Sequence, residues 1–323
     1  MEHIFVILGI CGGILVLALC LLLLCFCLVF YVPARHPEKD PYPVPQGKPY
    51  EPYHEKMREW LKAVDALPQE HVSITSFDGL TLRGLYFEQA PGAPTELMFH
   101  GYRGSARRDL AGGVIRRMAL GHNVILIDQR AGGGSDGHIT TFGIRESRDC
   151  LCWVDYAVQR FGPDCRLILT GISMGASTVL MAAGNPLPPQ VVGVLADCGY
   201  TSARDIMYHV MQQLRLPPAL LYPLIRLSGR LFGGFDIEDA VPRRALAQCT
   251  VPVIFYHGEE DAFVPCHMSR ENYDACAAPK RLHLIPGADH GMSYPTDPEK
   301  YIAALREMRI LWGIDTPQMQ ETK

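Results

Sequence analysis

The chain lacks the features that define several large protein classes. Its 30 Lys and Arg residues are outnumbered by 34 Asp and Glu, giving a net charge of −4. No basic cluster interleaves with aromatic residues, so the sequence gives no sign of nucleic-acid binding. Internal repeats and low-complexity tracts are also missing, which argues against a repeat protein or a disordered chain. What remains is 323 residues, enough for one large globular domain.

The cysteines and histidines show no arrangement typical of a disulfide framework or a metal site. Seven of the eleven cysteines lie after residue 32, an odd number without framework spacing, as expected of reduced thiols. The histidines that could join a metal site stand singly, without the spacing of a ligand pair: His100, His257, His267 and His283. We therefore expect no metal and no cofactor.

One long apolar run, residues 4–32, contains no charged residue and exceeds the ~20 residues that a helix needs to cross a bilayer. A cleaved signal peptide is the alternative, but it requires a basic start, a shorter core and a small-residue cleavage site. We predict a retained single-pass membrane anchor over residues 1–32. Lys and Arg follow this run and do not precede it, which predicts that the rest of the chain is cytoplasmic.

Residues 33–70 join this anchor to the remainder of the chain. Segment 33–52 contains seven prolines and is predicted to be an extended spacer that lifts the domain off the membrane. Residues 53–67 have a helical pattern with Met57, Trp60, Leu61 and Val64 on one side. We expect this helix to pack on the domain, with a membrane-surface helix as the alternative.

From residue 71 to residue 323, predicted strands alternate with predicted helices. The pattern predicts an α/β fold with a mostly parallel sheet covered by helices on both faces. Functional residues of such sheets lie beyond the carboxyl ends of the strands. The main predicted elements are a hairpin of 72–75 and 80–87, strands 95–99, 123–127, 166–170 and 191–196, and helices 105–120 and 144–161.

A nucleophile elbow is predicted at Gly171-Ile172-Ser173-Met174-Gly175, because an apolar run precedes this Gly-x-Ser-x-Gly pattern and a helix start follows it. Such a turn holds the serine hydroxyl above the sheet in a strained backbone conformation. The two glycines are needed because a Cβ at either position would collide with neighbouring backbone. Ser173 is therefore the predicted nucleophile.

An acid and a base follow Ser173 at the ends of two later predicted strands. A serine hydroxyl needs an adjacent base, and His290 would take its proton while Asp261 orients the imidazole. Glu259, Glu260 and Asp289 are the competing acids. A surface-turn histidine is the alternative interpretation of His290.

Acyl transfer also needs hydrogen-bond donors for the developing oxyanion. The backbone N–H groups of Met174 and Tyr102 are the predicted donors. Tyr102 lies in His100-Gly101-Tyr102-Arg103-Gly104-Ser105, directly after the strand 95–99. His100 is predicted to be structural, with its ring holding this loop in place.

Together these motifs resemble the α/β-hydrolase superfamily of serine hydrolases, in particular its bacterial membrane-anchored esterase- and peptidase-like members. The likeness covers residues 71–312. One departure is Ala131-Gly132-Gly133, where the family usually has Gly-His-Gly; this puts substrate details in doubt. The remaining matching segments are Asp128-Gln129-Arg130, Ser135-Asp136-Gly137, Phe142-Gly143, Glu146, Asp149, Trp153, Asp197-Cys198-Gly199-Tyr200, Asp261 to Pro265 and Asp289-His290-Gly291.

The resemblance implies a small helical cap inserted at about residues 200–240, where two helices are predicted near 206–215 and 217–231. This cap would cover the nucleophile and form an apolar substrate pocket, although ordinary helix packing would explain the same residues. The predicted pocket residues are Tyr200, Met207, Met211, Leu220 and Tyr222.

The predicted function is that of a membrane-anchored serine hydrolase that cleaves a small-molecule ester, which could be lipid-like, through an acyl-enzyme. Peptidase and thioesterase activity would use the same triad, and the motifs do not separate these substrates. The alternative functional class is a non-catalytic binding protein on the same scaffold. Its sequence would be expected to lack a residue of the triad or a glycine of the elbow. Both are intact in this sequence.

Overall fold

The structure is a computed structural model and describes residues 1–33 and 40–315. The described residues contain one eight-stranded sheet with the strand order β1-β2-β4-β3-β5-β6-β7-β8. The strands are Glu70–Thr75, Thr81–Phe87, Thr95–Phe99, Asn123–Ile127, Leu167–Ile172, Val191–Asp197, Val253–Gly258 and Lys280–Ile285, numbered β1 to β8. The helices are Glu2–Val29, His54–Asp65, Ala106–Ala119, Ile144–Phe161, Met174–Ala182, Ala203–Gln213, Pro218–Ser228, Pro242–Leu246, His267–Ala275, Ser293–Thr296 and Pro298–Leu311, numbered α1 to α11.

The sheet is mostly parallel, as predicted. Strand β2 pairs antiparallel with β1 and with β4, and the other neighbouring strands run parallel. The central strands β3, β4 and β7 are buried throughout, as expected where helices cover both faces. One face packs against α4, α5, α8 and α9, and the other packs against α2, α3, α10 and α11. The predicted fold class is confirmed.

Helix α1 extends from the domain over most of its length. Residues 3–21 are exposed, and these 19 residues span about 28 Å, close to the ~30 Å hydrocarbon core of a bilayer. The helix is long and apolar enough to cross a membrane. Near its C-terminal end, Leu22, Phe26 and Phe30 recur every fourth residue and are buried against the domain.

The predicted cap consists mainly of α6 and α7, followed by a short π-helical turn, Gly229–Gly233. Its helices begin and end within a few residues of the predicted bounds. The cap packs directly on α1: the ring centroids of Phe26 and Phe232 are 5.7 Å apart, and those of Phe30 and Phe235 are 5.1 Å apart. The end of the apolar helix and the cap therefore form one hydrophobic cluster.

The segment between α1 and the sheet also packs on the domain in its described part, residues 40–70. Helix α2 lies on α3 and buries Met57, Leu61 and Val64, as the helical pattern predicts. Trp60 contacts Tyr294 of α10, with ring centroids 5.9 Å apart. The first part of the predicted spacer, residues 34–39, lies outside the described residues.

Candidate active site

Ser173 lies in a strained turn between β5 and α5. Its φ of 55° and ψ of −119° are rare for a non-glycine residue and are typical of an elbow that presents its side chain above the sheet. A Cβ at Gly171 would lie 2.1 Å from the carbonyl oxygen of Gly175, and one at Gly175 would lie 2.1 Å from that of Phe99. Only glycine fits at either position, because the contacting atoms are backbone atoms.

The structure brings Ser173, His290 and Asp261 together from three different strand ends. Nε2 of His290 lies 3.0 Å from Oγ of Ser173, and Nδ1 of the same ring lies 2.7 Å from Oδ2 of Asp261. An ionised carboxylate only accepts hydrogen bonds, so Nδ1 carries the proton and Nε2 offers its lone pair to the serine hydroxyl. This is the tautomer that general-base catalysis requires.

Asp261 is buried and firmly held. Its Oδ1 accepts hydrogen bonds from the backbone N–H groups of Phe263 at 2.9 Å and Val264 at 2.7 Å. Burial opposes ionisation, but hydrogen bonds from His257 and His290 outweigh it and lower the pKa of Asp261 below its usual range. The carboxylate is therefore ionised at neutral pH.

His257 is a supporting residue that the sequence analysis did not identify. Its ring is fully buried, and its Nε2–H donates to the carbonyl oxygen of Val264 at 2.7 Å and contacts Oδ2 of Asp261 at 3.1 Å. Its Nδ1 lies 2.6 Å from the hydroxyl of Ser269, which donates to it. The sequence signal was its place on β7, four residues before Asp261.

The loop after β3 passes directly beside Ser173. An ideal Cβ on Gly101 would lie 3.5 Å from Cβ of Ser173, so the backbone of this loop passes close to the nucleophile just before Tyr102. The N–H of Met174 opens helix α5. Neither N–H has an acceptor within the described residues, and N–H groups at a helix start are commonly unpaired.

His100 holds this loop in place, as predicted. Its Nδ1–H donates to the carbonyl oxygen of Gly101 at 2.8 Å, and its Nε2 accepts from the backbone N–H of Gln129 at 3.0 Å. Gly132, which belongs to the segment that departs from the family pattern, packs on the same ring, since a Cβ at this position would lie 2.6 Å from the imidazole. The segment Ala131-Gly132-Gly133 therefore contacts His100, and it does not line the cavity described next.

A cavity of about 500 Å³ opens beside Ser173 and His290. It extends between the sheet and the layer formed by α2, α3 and α10. Its walls are mainly apolar and aromatic, with Trp60, Met98, Ile172 and others on its sides, and Arg116 on α3 also lines it. This volume and lining suit a small organic substrate.

The predicted pocket residues do not line this cavity. Four of them belong to the hydrophobic cluster between the cap and α1: Tyr200, Met207, Met211 and Tyr222. Leu220 is 65% exposed on the outer side of the cap. None of these five residues lines the cavity beside Ser173, and the inner face of the cap packs toward Phe26 and Phe30.

The Pro-rich segment has a role that the spacer prediction missed. Pro45, Gln46, Pro49 and Tyr50 line the cavity together with Met57 and Trp60 of α2. The described part of this segment is therefore a wall of the cavity and more than a spacer. Composition alone could not predict this, because a Pro-rich chain is extended whether or not it packs on a domain.

One group of potential metal ligands overlaps the triad. The Sγ of Cys198, a carboxylate oxygen of Asp261 and a ring nitrogen of His290 lie within 4.8 Å of one another. The donor set suits a thiophilic ion such as Zn²⁺. A metal held there would occupy the Asp261–His290 pair that the serine needs, so the group is incompatible with simultaneous base catalysis by His290.

Comparison with known proteins identifies the fold. No family model matches the chain. The uncharacterized protein YqkD of Bacillus subtilis is 28% identical over 189 residues, which cover 58% of this chain and 62% of YqkD, less than two thirds of that relative. The esterase Pf2001 of Pyrococcus furiosus has a TM-score of 0.63 at 21% identity, covering 85% of this chain and 99% of the esterase.

A puromycin-hydrolyzing peptidase of Mycobacterium tuberculosis has a TM-score of 0.59 at 18% identity, covering 77% of this chain and 40% of the peptidase. At these identities the likeness shows the fold. The chain therefore has the α/β-hydrolase fold, which is the fold that the sequence resemblance implies.

Proposed function

We propose that the protein is a serine hydrolase that cleaves carboxylic esters through an acyl-enzyme on Ser173. The observation that carries this proposal is the continuous chain of hydrogen bonds from Ser173 through His290 to Asp261, with donor–acceptor distances of 3.0 and 2.7 Å. Fold neighbours that include an esterase and a peptidase support hydrolase chemistry.

In the proposed reaction, Oγ of Ser173 attacks the ester carbonyl carbon while Nε2 of His290 takes the hydroxyl proton. The carbonyl oxygen becomes an oxyanion that accepts hydrogen bonds from the N–H groups of Tyr102 and Met174. His290 then gives the proton to the departing alcohol, which leaves an acyl group on Ser173. Water, activated by the same histidine, releases the carboxylic acid and restores the serine.

The protein is further proposed to be anchored in a membrane by α1, with its domain in the cytoplasm. Support comes from the 19 exposed apolar-rich residues at 3–21 and from the packing of the next turns on the cap. Exposed side chains on the same surface extend this apolar region. Leu220, Leu227 and Leu231 follow one another at helical spacing, and Phe232 contacts Phe26. We place this surface at the membrane interface.

The proposed domain arrangement is an anchor over 1–32, a connecting segment over 33–70 and a hydrolase domain over 71–323 with its cap at about 200–240. The described packing of α2 on α3 gives the connecting segment a structural role in the domain. No cofactor takes part in the proposed reaction.

Hydrolysis of a series of p-nitrophenyl esters with increasing acyl length tests the proposal. The purified full chain should cleave them, and the Ser173→Ala variant should lose the activity. Matched p-nitroanilide and thioester substrates test the peptidase and thioesterase alternatives. A non-catalytic binding protein would cleave none of the three substrate classes, and that result would contradict the proposal.

A further inference from the structure

Arg116 is a half-buried cation that forms no ion pair with the described residues. It lies on α3, lines the cavity that contains Ser173, and forms no ion pair or hydrogen bond with any described residue. Its Nε is buried without a partner. By contrast, the adjacent Arg117 donates to Oε2 of Glu96 at 2.9 Å. An unpaired charge that is partly removed from water is costly, so Arg116 is a group that a ligand could satisfy.

Aromatic rings hold the Arg116 guanidinium in place. Its central carbon lies 3.8 Å from the centroid of the Tyr294 ring and 5.6 Å from that of Trp60. Such stacking fixes the plane of the guanidinium and leaves its N–H groups available at the edge. Burial lowers the pKa of Arg116 to about 10, which still leaves it charged at neutral pH.

The surroundings preserve room for this side chain, and no described carboxylate lies close enough to form an ion pair with it. A Cβ at Gly112 would lie 2.8 Å from Nη1 of Arg116 and 2.5 Å from the Trp60 ring, so glycine leaves space on this side. Asp197 lines the same cavity, but it accepts a hydrogen bond from Ser293 at 3.0 Å. Burial also raises the pKa of Asp197, which disfavours its charged form.

We propose that the cavity binds substrates carrying an anionic group, a carboxylate or a phosphate, which pairs with Arg116 while the ester lies at Ser173. The planar guanidinium matches such groups through two parallel hydrogen bonds. The apolar walls between Ser173 and Arg116 would hold the intervening carbon chain. The ester part of this proposal rests on the proposed function, whereas the recognition of the anionic group rests on Arg116.

Two substrate pairs test the proposal in the full chain. Mono-p-nitrophenyl adipate against p-nitrophenyl hexanoate places the carboxylate on the acyl side. The butyryl ester of 4-hydroxybenzoate against phenyl butyrate places it on the alcohol side. The ratio of kcat/KM for the anionic ester to that for its neutral partner is expected to fall about 10- to 100-fold in Arg116→Gln for one pair, the range of a charge-assisted hydrogen bond.

Two variants control for indirect effects. Arg148→Gln also removes an arginine stacked on an aromatic ring, 3.4 Å from the Phe77 centroid, but Arg148 is exposed on α4 and should leave the ratio unchanged. Arg116→Lys keeps the charge and should keep part of the preference, provided that thermal unfolding shows it is folded. An unchanged ratio in folded Arg116→Gln for both substrate pairs would overturn the proposal.

Calorimetry separates this proposal from the hydrolase assignment. Adipate and inorganic phosphate are titrated into Ser173→Ala and into the same variant carrying Arg116→Gln. We expect at least one of the two anions to bind the first protein, and to bind the second protein at least tenfold more weakly. The anion that binds more tightly shows whether the site prefers a carboxylate or a phosphate. Binding that depends on Arg116 without ester cleavage would uphold the anion site and refute only the hydrolase. Binding that is equal in both proteins, or undetectable in both, would overturn the anion site.

Discussion

The hydroxyl of Tyr102 donates a hydrogen bond to the carbonyl oxygen of Val29 at 2.7 Å. One residue therefore joins the end of the apolar helix α1 to the loop that passes beside Ser173. Arg103 strengthens the same connection by donating to the carbonyl oxygens of Leu28 at 3.1 Å and Tyr31 at 2.7 Å. These carbonyls lie at a helix C-terminus, where a cation is favourable.

Removing this connection should weaken catalysis without removing the nucleophile. In Tyr102→Phe the carbonyl of Val29 loses its partner, at a cost of about 1–3 kcal/mol. We expect a several-fold fall in kcat, because the loop that presents the Tyr102 N–H is less firmly held. Steady-state kinetics on a p-nitrophenyl ester measure this. An unchanged kcat would show that the attachment of α1 does not affect the site.

Changes at Asp261 and His257 should differ sharply in magnitude. Asp261→Asn removes the acceptor that fixes the His290 tautomer, and kcat should fall by about 10⁴. His257→Gln alters the contacts that position Asp261 and the loop after it but leaves the Asp261 carboxylate in place, so we expect a loss of about tenfold, with a small shift of the pH profile. Comparable losses in both variants, measured with protein of native thermal stability, would contradict these roles.

The exposed apolar residues of the cap should matter only at a membrane. Replacing Leu220 and Leu231 together with serine leaves the cavity unchanged, since neither residue lines it. We expect unaltered hydrolysis of a soluble short-chain ester and a several-fold loss on a long-chain ester presented in lipid vesicles. Equal effects on both substrates would argue against a membrane-facing cap.

Zn²⁺ should inhibit the enzyme, and a chelator should not. The ion would bind Cys198, Asp261 and His290 and so withdraw the base from Ser173. Micromolar Zn²⁺ is expected to lower the rate reversibly, while EDTA alone leaves it unchanged. Cys198→Ser should need at least tenfold more Zn²⁺ for half inhibition. Loss of activity in EDTA would instead indicate a metal-dependent reaction.

Local signals in the sequence predicted the sheet and the elbow and selected Ser173, His290 and Asp261, which the structure brings together, because each signal depends on a few neighbouring residues. Gly171 and Gly175 are required by close backbone contacts, and the ends of β7 and β8 are marked by apolar runs. The cavity walls were not predicted. Tyr50 and Arg116 are far apart in the chain, and only the packing of α2 on α3 places them on one cavity.

The predicted pocket residues lie away from the cavity for a related physical reason. Met207 and Met211 have the apolar pattern of a buried helix face, which looks the same whether it faces a substrate or another helix. The structure packs this face on α1. The apolar pattern of α1 predicts a membrane anchor, and nothing in that pattern indicates that the end of this helix and the cap share a hydrophobic cluster.

The most direct test of the central claim is labelling with a fluorophosphonate probe, followed by mass spectrometry of the modified peptide. The account predicts one adduct, on Oγ of Ser173, that is absent in Ser173→Ala and strongly reduced in His290→Ala, because the triad acts as a unit. A folded protein that takes no label, or that is labelled equally well without His290, would contradict it.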